Sequence, residues 1–122
     1  MEQALILYRE SGDRNNEGVT LNRMGFIYAA LGQNTEALSY YEQSLIVRRE
    51  INDRYGEGVT SGNISARYFA LGRYSESLKH SEQALVISRE IDDLYDEDLI
   101  LEGIGVFYEN LGQYAKEFTY YS

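Results

Sequence analysis

The sequence predicts an all-α fold, an α-solenoid of stacked antiparallel helix pairs. Three observations predict it. A block of 40 residues recurs along the 122-residue chain. Apolar residues within each block fall at three- and four-residue spacing, the stripe of an amphipathic helix. Proline is absent, so nothing interrupts the i to i−4 ladder of helical hydrogen bonds.

The repeat is explicit in the residues. Leu31-Gly32-Gln33, Leu71-Gly72-Arg73 and Leu111-Gly112-Gln113 are spaced by 40, as are Tyr28, Tyr68 and Tyr108, and Asp13, Asp53 and Asp93. Residues 12–51 laid over 52–91 give 18 identical positions in 40, far more than chance produces. Among them are Asp-Arg at 13–14 and 53–54, Glu-Gly-Val-Thr at 17–20 and 57–60, and Arg-Glu-Ile at 49–51 and 89–91. The register divides one domain over 1–122 into four pieces. Residues 1–11 are the second half of a preceding second helix. Residues 12–51 and 52–91 are full repeats, and 92–122 is a truncated third.

Each block reads as two helices. In the first helix, Val19, Leu21, Met24, Ile27, Tyr28 and Leu31 form the expected core stripe. Asp13 suits the N-cap, where a carboxylate accepts orphan amide hydrogens of the first turn. Gly32 follows the last apolar residue, where a left-handed residue ends the helix most easily without a Cβ. The second helix runs from about 34 to 51, with Ala37, Leu38, Tyr41, Leu45 and Val47 facing the core. Arg48 and Arg49 sit in its last turn, where cations complement the helix dipole. The pair returns at about 54–71 and 74–91, then at 94–111 and 114–122. Neither helix of a pair buries its stripe alone, so neighbouring pairs must stack. A coiled coil is excluded by a glycine break every 40 residues and by the lack of a sustained heptad.

Composition narrows the function. The net charge is −9, which argues against nucleic acid and against anionic membranes, both of which require clustered Lys and Arg. No Cys is present and His80 is the only histidine. A thiolate–imidazole pair and a His-rich metal site are therefore not expected within one chain. His80 reads as a solvated residue of the outer face. The acidic run Asp92, Asp93, Asp96, Glu97 and Asp98 lacks the glycine and the spaced terminal glutamate of a calcium loop. No stretch resembles a signal peptide or a membrane span. The expectation is a cytoplasmic protein that is no enzyme and uses no cofactor or metal.

On these residues the chain resembles a tetratricopeptide repeat protein. The pattern of that family reads here as Leu21, Met24-Gly25, Tyr28, Gly32, Ala37, Tyr41 and Ser44. The second copy carries Ser61, Ile64-Ser65, Tyr68, Gly72, Ser77, Ser81 and Ala84. The third carries Leu101, Ile104-Gly105, Tyr108, Gly112, Glu117 and Tyr121. Ser65 departs from the helix glycine, Glu117 from the small residue, and Asn34 from the Tyr found at 74 and 114. The interval of 40 is similar to a long-helix subtype found in kinesin light chains and bacterial signalling arrays.

The resemblance implies a right-handed superhelix that holds a protein or peptide on a concave face lined by first helices. The residues it places there include Asn22, Arg23 and Phe26, then Asn63, Ala66 and Phe69, then Glu102, Val106 and Glu109. Asn22 and Asn63 suit a peptide backbone, since a carboxamide both donates and accepts. Phe26 and Phe69 suit apolar anchors, and Arg23 with Glu102 and Glu109 would orient a ligand by charge. The same residues have a structural reading: the phenylalanines as helix packing, the asparagines as solvated positions. The clamp that grips a C-terminal carboxylate needs Lys and Asn at set positions, and this chain lacks that set. Two other roles fit the repeat: a peptide-sensing module, and a structural or self-assembling segment of a larger signalling protein. The register begins and stops halfway along a second helix, so the chain reads as an excerpt of a longer array. Residues 113–122 of one molecule and 1–11 of the next would together complete one helix and allow head-to-tail association.

Overall fold

The structure, a computed structural model, describes residues 1–91 together with 100, 101 and 104. Over residues 1–91 five helices follow one another: α1 (Glu2–Ser11), α2 (Arg14–Ala30), α3 (Asn34–Glu50), α4 (Arg54–Ala70) and α5 (Tyr74–Glu90). Each packs on the next in sequence. The described residues contain no strand, and none of their helices is long and apolar enough to cross a membrane. The expectations placed on 113–122 and on the acidic run from Asp92 lie outside the described residues.

The helix ends follow from local chemistry. Asp13 accepts from the amide of Asn16 at 3.3 Å and Asp53 from the amide of Gly56 at 2.9 Å, capping α2 and α4. Gly32 and Gly72 adopt φ of +76° and +74°, a region open to glycine at little steric cost. The chain reverses there with Gln33 N–H donating to the Tyr28 carbonyl at 2.9 Å, and Arg73 N–H to that of Tyr68 at 2.9 Å, which satisfies carbonyls the helix leaves orphaned. At the turn from α3 to α4, Asn52 takes the left-handed conformation at φ 57°, as asparagine does more readily than most residues.

The core forms between consecutive helices. Ala37, Leu38, Tyr41 and Leu45 of α3 cluster with Ile64 and Tyr68 of α4. Leu5, Leu21, Met24 and Val47 tie α1, α2 and α3. Leu85 of α5 and Ile104 are buried together, with Phe69 and Tyr74 against them. Two residues of the expected α2 stripe are not core. Ile27 is 43% exposed and Leu31 is 65% exposed. Leu31 is the C-cap of α2, where the chain turns away from the partner helix. His80, expected to be solvated, is half-buried: its ring lies 5.4 Å from that of Tyr68, and its Nδ1 meets the Glu76 carbonyl at 2.9 Å.

An ion-pair ladder joins the repeats. Glu17 is 4% exposed and Glu57 8%, and each carboxylate is held by two arginines. Arg9 of α1 and Arg14 of α2 reach Glu17 at 3.2 and 2.7 Å, and Arg14 also pairs with Glu50 of α3. Forty residues later, Arg49 and Arg54 reach Glu57 at 3.2 and 2.8 Å, and Arg54 pairs with Glu90 of α5. Each ladder binds three successive helices through one buried charge. Arg48 adds a pair with Asp53.

Close crossings are handled differently in the two repeats. A Cβ on Gly25 would lie 2.7 Å from the Tyr41 ring, so the α2–α3 crossing requires glycine opposite tyrosine. At the α4–α5 crossing the equivalents are Ser65 and Ser81, and they are hydrogen-bonded to each other. Ser65 Oγ also donates to the Ser77 carbonyl at 2.8 Å, and Ser77 Oγ to the Ser65 carbonyl at 2.9 Å. The departure at Ser65 is therefore matched by its partner across the crossing.

Two outcomes are expected. Gly25→Ser alone should destabilise the fold by about 1–3 kcal/mol through overpacking. Adding Tyr41→Ser should recover part of that loss, giving a non-zero coupling in a double-mutant cycle read by urea unfolding. The second concerns acid. Burial opposes the charge of Asp53, but the Gly56 amide and the Arg48 guanidinium outweigh it and hold the carboxyl below its ordinary range. Stability from a depressed carboxylate is complete above its unfolded value, near about 3.9, and is lost as pH falls through the folded value. Asp53→Asn keeps a cap residue and should cost about 1 kcal/mol at pH 7. It should also flatten the loss of urea midpoint below about pH 4.

Candidate functional site on the α2–α4 face

The exposed sides of α2 and α4 carry the same register of positions: Asn15, Val19, Asn22 and Phe26 on α2, and Tyr55, Val59, Gly62 and Ala66 on α4. The spacing of four, three and four residues keeps each set on one face of its helix. The opposite faces are fixed by the core, so these sides are left outward.

The two helices meet through polar side chains. Asn63 Nδ2 donates to Asn22 Oδ1 at 3.3 Å, and Thr60 Oγ1 donates to the same oxygen at 3.4 Å. Both asparagines are half-buried. The bond unites residues 41 positions apart and so fixes α4 beside α2. Asn22 Nδ2 and Asn63 Oδ1 take no part in it. The asparagines are thus neither solvated separately nor wholly free for a ligand.

Phe26 stands beside this pair, one turn along α2, and is 66% exposed. Ala66, its counterpart on α4, is exposed, as is Arg23. Arg23 has no acidic partner among the described residues. A Cβ built on Gly62 meets nothing within 4 Å, so the surface is open at that point. Phe69 does not stand free. Its ring tilts against Tyr74 at 5.3 Å and joins the cluster around Leu85 and Ile104, which is the packing reading of that residue. Glu102, Val106 and Glu109 lie outside the described residues. Of the candidates, the structure therefore brings Asn22, Arg23, Phe26, Asn63 and Ala66 onto one surface.

Sequence reasoning missed one contributor, Tyr55. It is 63% exposed, and with Val59, 38% exposed and expected on this face, it extends the apolar stripe of α4 toward its start. Tyr55 has Asn15 as its counterpart, so the repeat pattern gave no sign of it. Arg67, which follows Ala66, is drawn aside: its Nη1 donates to Asn34 Oδ1 at 2.9 Å.

Comparison with known proteins bears on the fold. The tetratricopeptide repeat family model matches residues 16–90. No curated protein matches the chain. Among solved structures, the tetratricopeptide repeat domain of Arabidopsis FLU superposes with a TM-score of 0.78 at 19% identity, over 88% of this chain and 91% of that domain. A signal transduction ATPase with numerous domains from Pyrococcus horikoshii, which carries a tetratricopeptide repeat sensor, superposes with a TM-score of 0.71 at 22% identity. That match covers 92% of this chain and 20% of the Pyrococcus protein. Helix pairs, left-handed glycine turns and a family match across both described repeats agree: the chain belongs to the tetratricopeptide repeat family, whose repeats act as scaffolds for protein–protein interaction.

Proposed function

We propose that the α2–α4 face is the concave binding surface of this scaffold and holds a peptide segment of a partner protein. The observation that carries this reading is Phe26, a large aromatic 66% exposed beside a half-buried hydrogen-bonded asparagine pair. Covering such a ring stabilises a complex by about 1.5–3 kcal/mol. Asn22 Nδ2 and Asn63 Oδ1 offer one set of donors and one acceptor to a peptide backbone. Gly62 and Ala66 leave room for side chains of the ligand. Arg23 favours an acidic group near α2, and in the sequence register the third repeat supplies Glu102, Val106 and Glu109 for a basic or apolar one.

Peptides selected on the immobilised chain from a random display library provide the test. Phe26→Ala should weaken the selected peptides about tenfold or more, while the melting temperature stays unchanged because the ring makes little of the core. Asn63→Ala should weaken them as well. Full affinity retained in both variants would favour a structural role over a binding face.

A further inference from the structure

The outward side of the second helices carries an aliphatic residue at one register. Ile6 on α1, Ile46 on α3 and Val86 on α5 are spaced by 40 and are 54%, 56% and 54% exposed. A single exposed aliphatic residue is ordinary; three at one register are a pattern. In α3 and α5 the flanking Leu45, Val47, Leu85 and Ile87 are all buried, so the core takes its neighbours and leaves this position out. α3 packs on both α2 and α4. The exposure of Ile46 therefore belongs to the side facing away from both and owes nothing to a chain end.

The neighbours of this residue repeat with it. Glu42-Gln43 precede Ile46 by four and three positions, and Arg49-Glu50 follow by three and four. Glu2-Gln3 and Arg9-Glu10 stand the same way about Ile6, as do Glu82-Gln83 and Arg89-Glu90 about Val86. At about 3.6 residues per turn, these positions share one helix face with the aliphatic residue at its centre. Glu42 and Arg49 occupy the flank toward α4, where Tyr68 OH donates to Glu42 at 3.0 Å and Arg49 Nε to Glu57 at 3.2 Å. Gln43 and Glu50 occupy the other flank, where Arg9 donates to Gln43 at 3.1 Å and Arg14 pairs with Glu50. Arg49 keeps 47% of its side chain exposed.

This face is its own complement. A twofold axis running along the aliphatic row, perpendicular to the helices, lays each helix antiparallel to its own copy. Ile46 then meets Ile46 of the second copy. Glu42 comes within one residue of Arg49 on the same flank, and Gln43 within one residue of Glu50 on the other. The parallel arrangement would set Glu42 against Glu42. The match recurs at every step of the array, because Ile6 and Val86 carry the same neighbours. We infer that the outward faces of α1, α3 and α5 form an interface with a second copy of this chain, an isologous antiparallel contact centred on Ile46. A net charge of −9 on each chain opposes association at long range, and the Glu42–Arg49 pairs supply the local attraction that selects this orientation.

The chain has no cysteine, which makes a single introduced thiol a clean reporter. Ile46→Cys stands on the axis and should link to itself under mild oxidation, giving a covalent dimer. Ser39→Cys is exposed on the same side of α3, two turns from the axis. It would lie about 21 Å from its own copy, beyond the roughly 7 Å between Cα atoms that a disulfide spans, and should not link. In sedimentation velocity, the mass of the unaltered chain should rise toward that of a dimer over about 0.1–1 mM. Ile46→Lys should weaken association about tenfold or more, with circular dichroism unchanged. Phe26→Ala should leave association intact, which separates this contact from the α2–α4 face. The inference is overturned if the chain stays monomeric across that range, if Ile46→Lys associates as the unaltered chain does, or if Ser39→Cys links as fast as Ile46→Cys.

Discussion

The buried carboxylates of Glu17 and Glu57 organise the rest of the molecule. A carboxylate out of water is costly unless paired and hydrogen-bonded, and each of these meets two guanidinium groups arriving from different helices. The arginines keep much of their side chains in solvent, with 38–47% exposed, so the cations are not stranded. The result is a directional fastener: it holds only when the end of one helix, the start of the next and the end of the one after are all in place. Apolar contacts alone tolerate sliding. The fixed pairs set the step from α2 to α4, and that step brings Asn22 within bonding distance of Asn63.

Above this joint, the two repeats solve the same crossing with different chemistry. Gly25 yields to the ring of Tyr41, while Ser65, Ser77 and Ser81 replace ring volume with a small hydrogen-bonded network. The same exchange of apolar bulk for polar bonding separates Tyr40 from His80, each beside the repeat tyrosine. Two surfaces result from one register. The first helices leave Phe26, Tyr55 and Val59 outward on one side, and the second helices leave Ile6, Ile46 and Val86 outward on another.

The periodic features are legible in the amino-acid sequence. Repeat spacing locates the glycine turns and the Asp caps, because those depend on a single residue's own conformation or side chain. The α3 stripe of Ala37, Leu38, Tyr41, Leu45 and Val47 is buried as its spacing requires. What escapes are effects between distant residues. Glu17 and Glu57 look like acidic first-turn residues, and only the joint recurrence of Arg9, Arg14, Glu17 and Glu50 at 49, 54, 57 and 90 signals a ladder. Ile27 and Leu31 fit the helical period but lie beyond the edge of the partner helix. On the candidate face, Phe26 and Phe69 are the same residue type at different register positions, with Ala66 and Ala29 as their counterparts. Tyr74, which stands where the first repeat has Asn34, captures Phe69, a contact between helices that spacing does not reveal, while Phe26 stays exposed. The bond between Asn22 and Asn63 links non-equivalent register positions and so has no periodic trace.

The paired solutions at the helix crossing bear on how such arrays change over generations. A duplication or deletion that broke at Leu71-Gly72 would look harmless, since the turn is common to every copy. It would nonetheless separate Ser65 from Ser81 and could set a serine against a tyrosine ring. A break at Asn52-Asp53 keeps each crossing with its own partner. The heritable module of this chain is therefore the helix pair taken from cap to cap, and recombination across the glycine turn should leave few survivors.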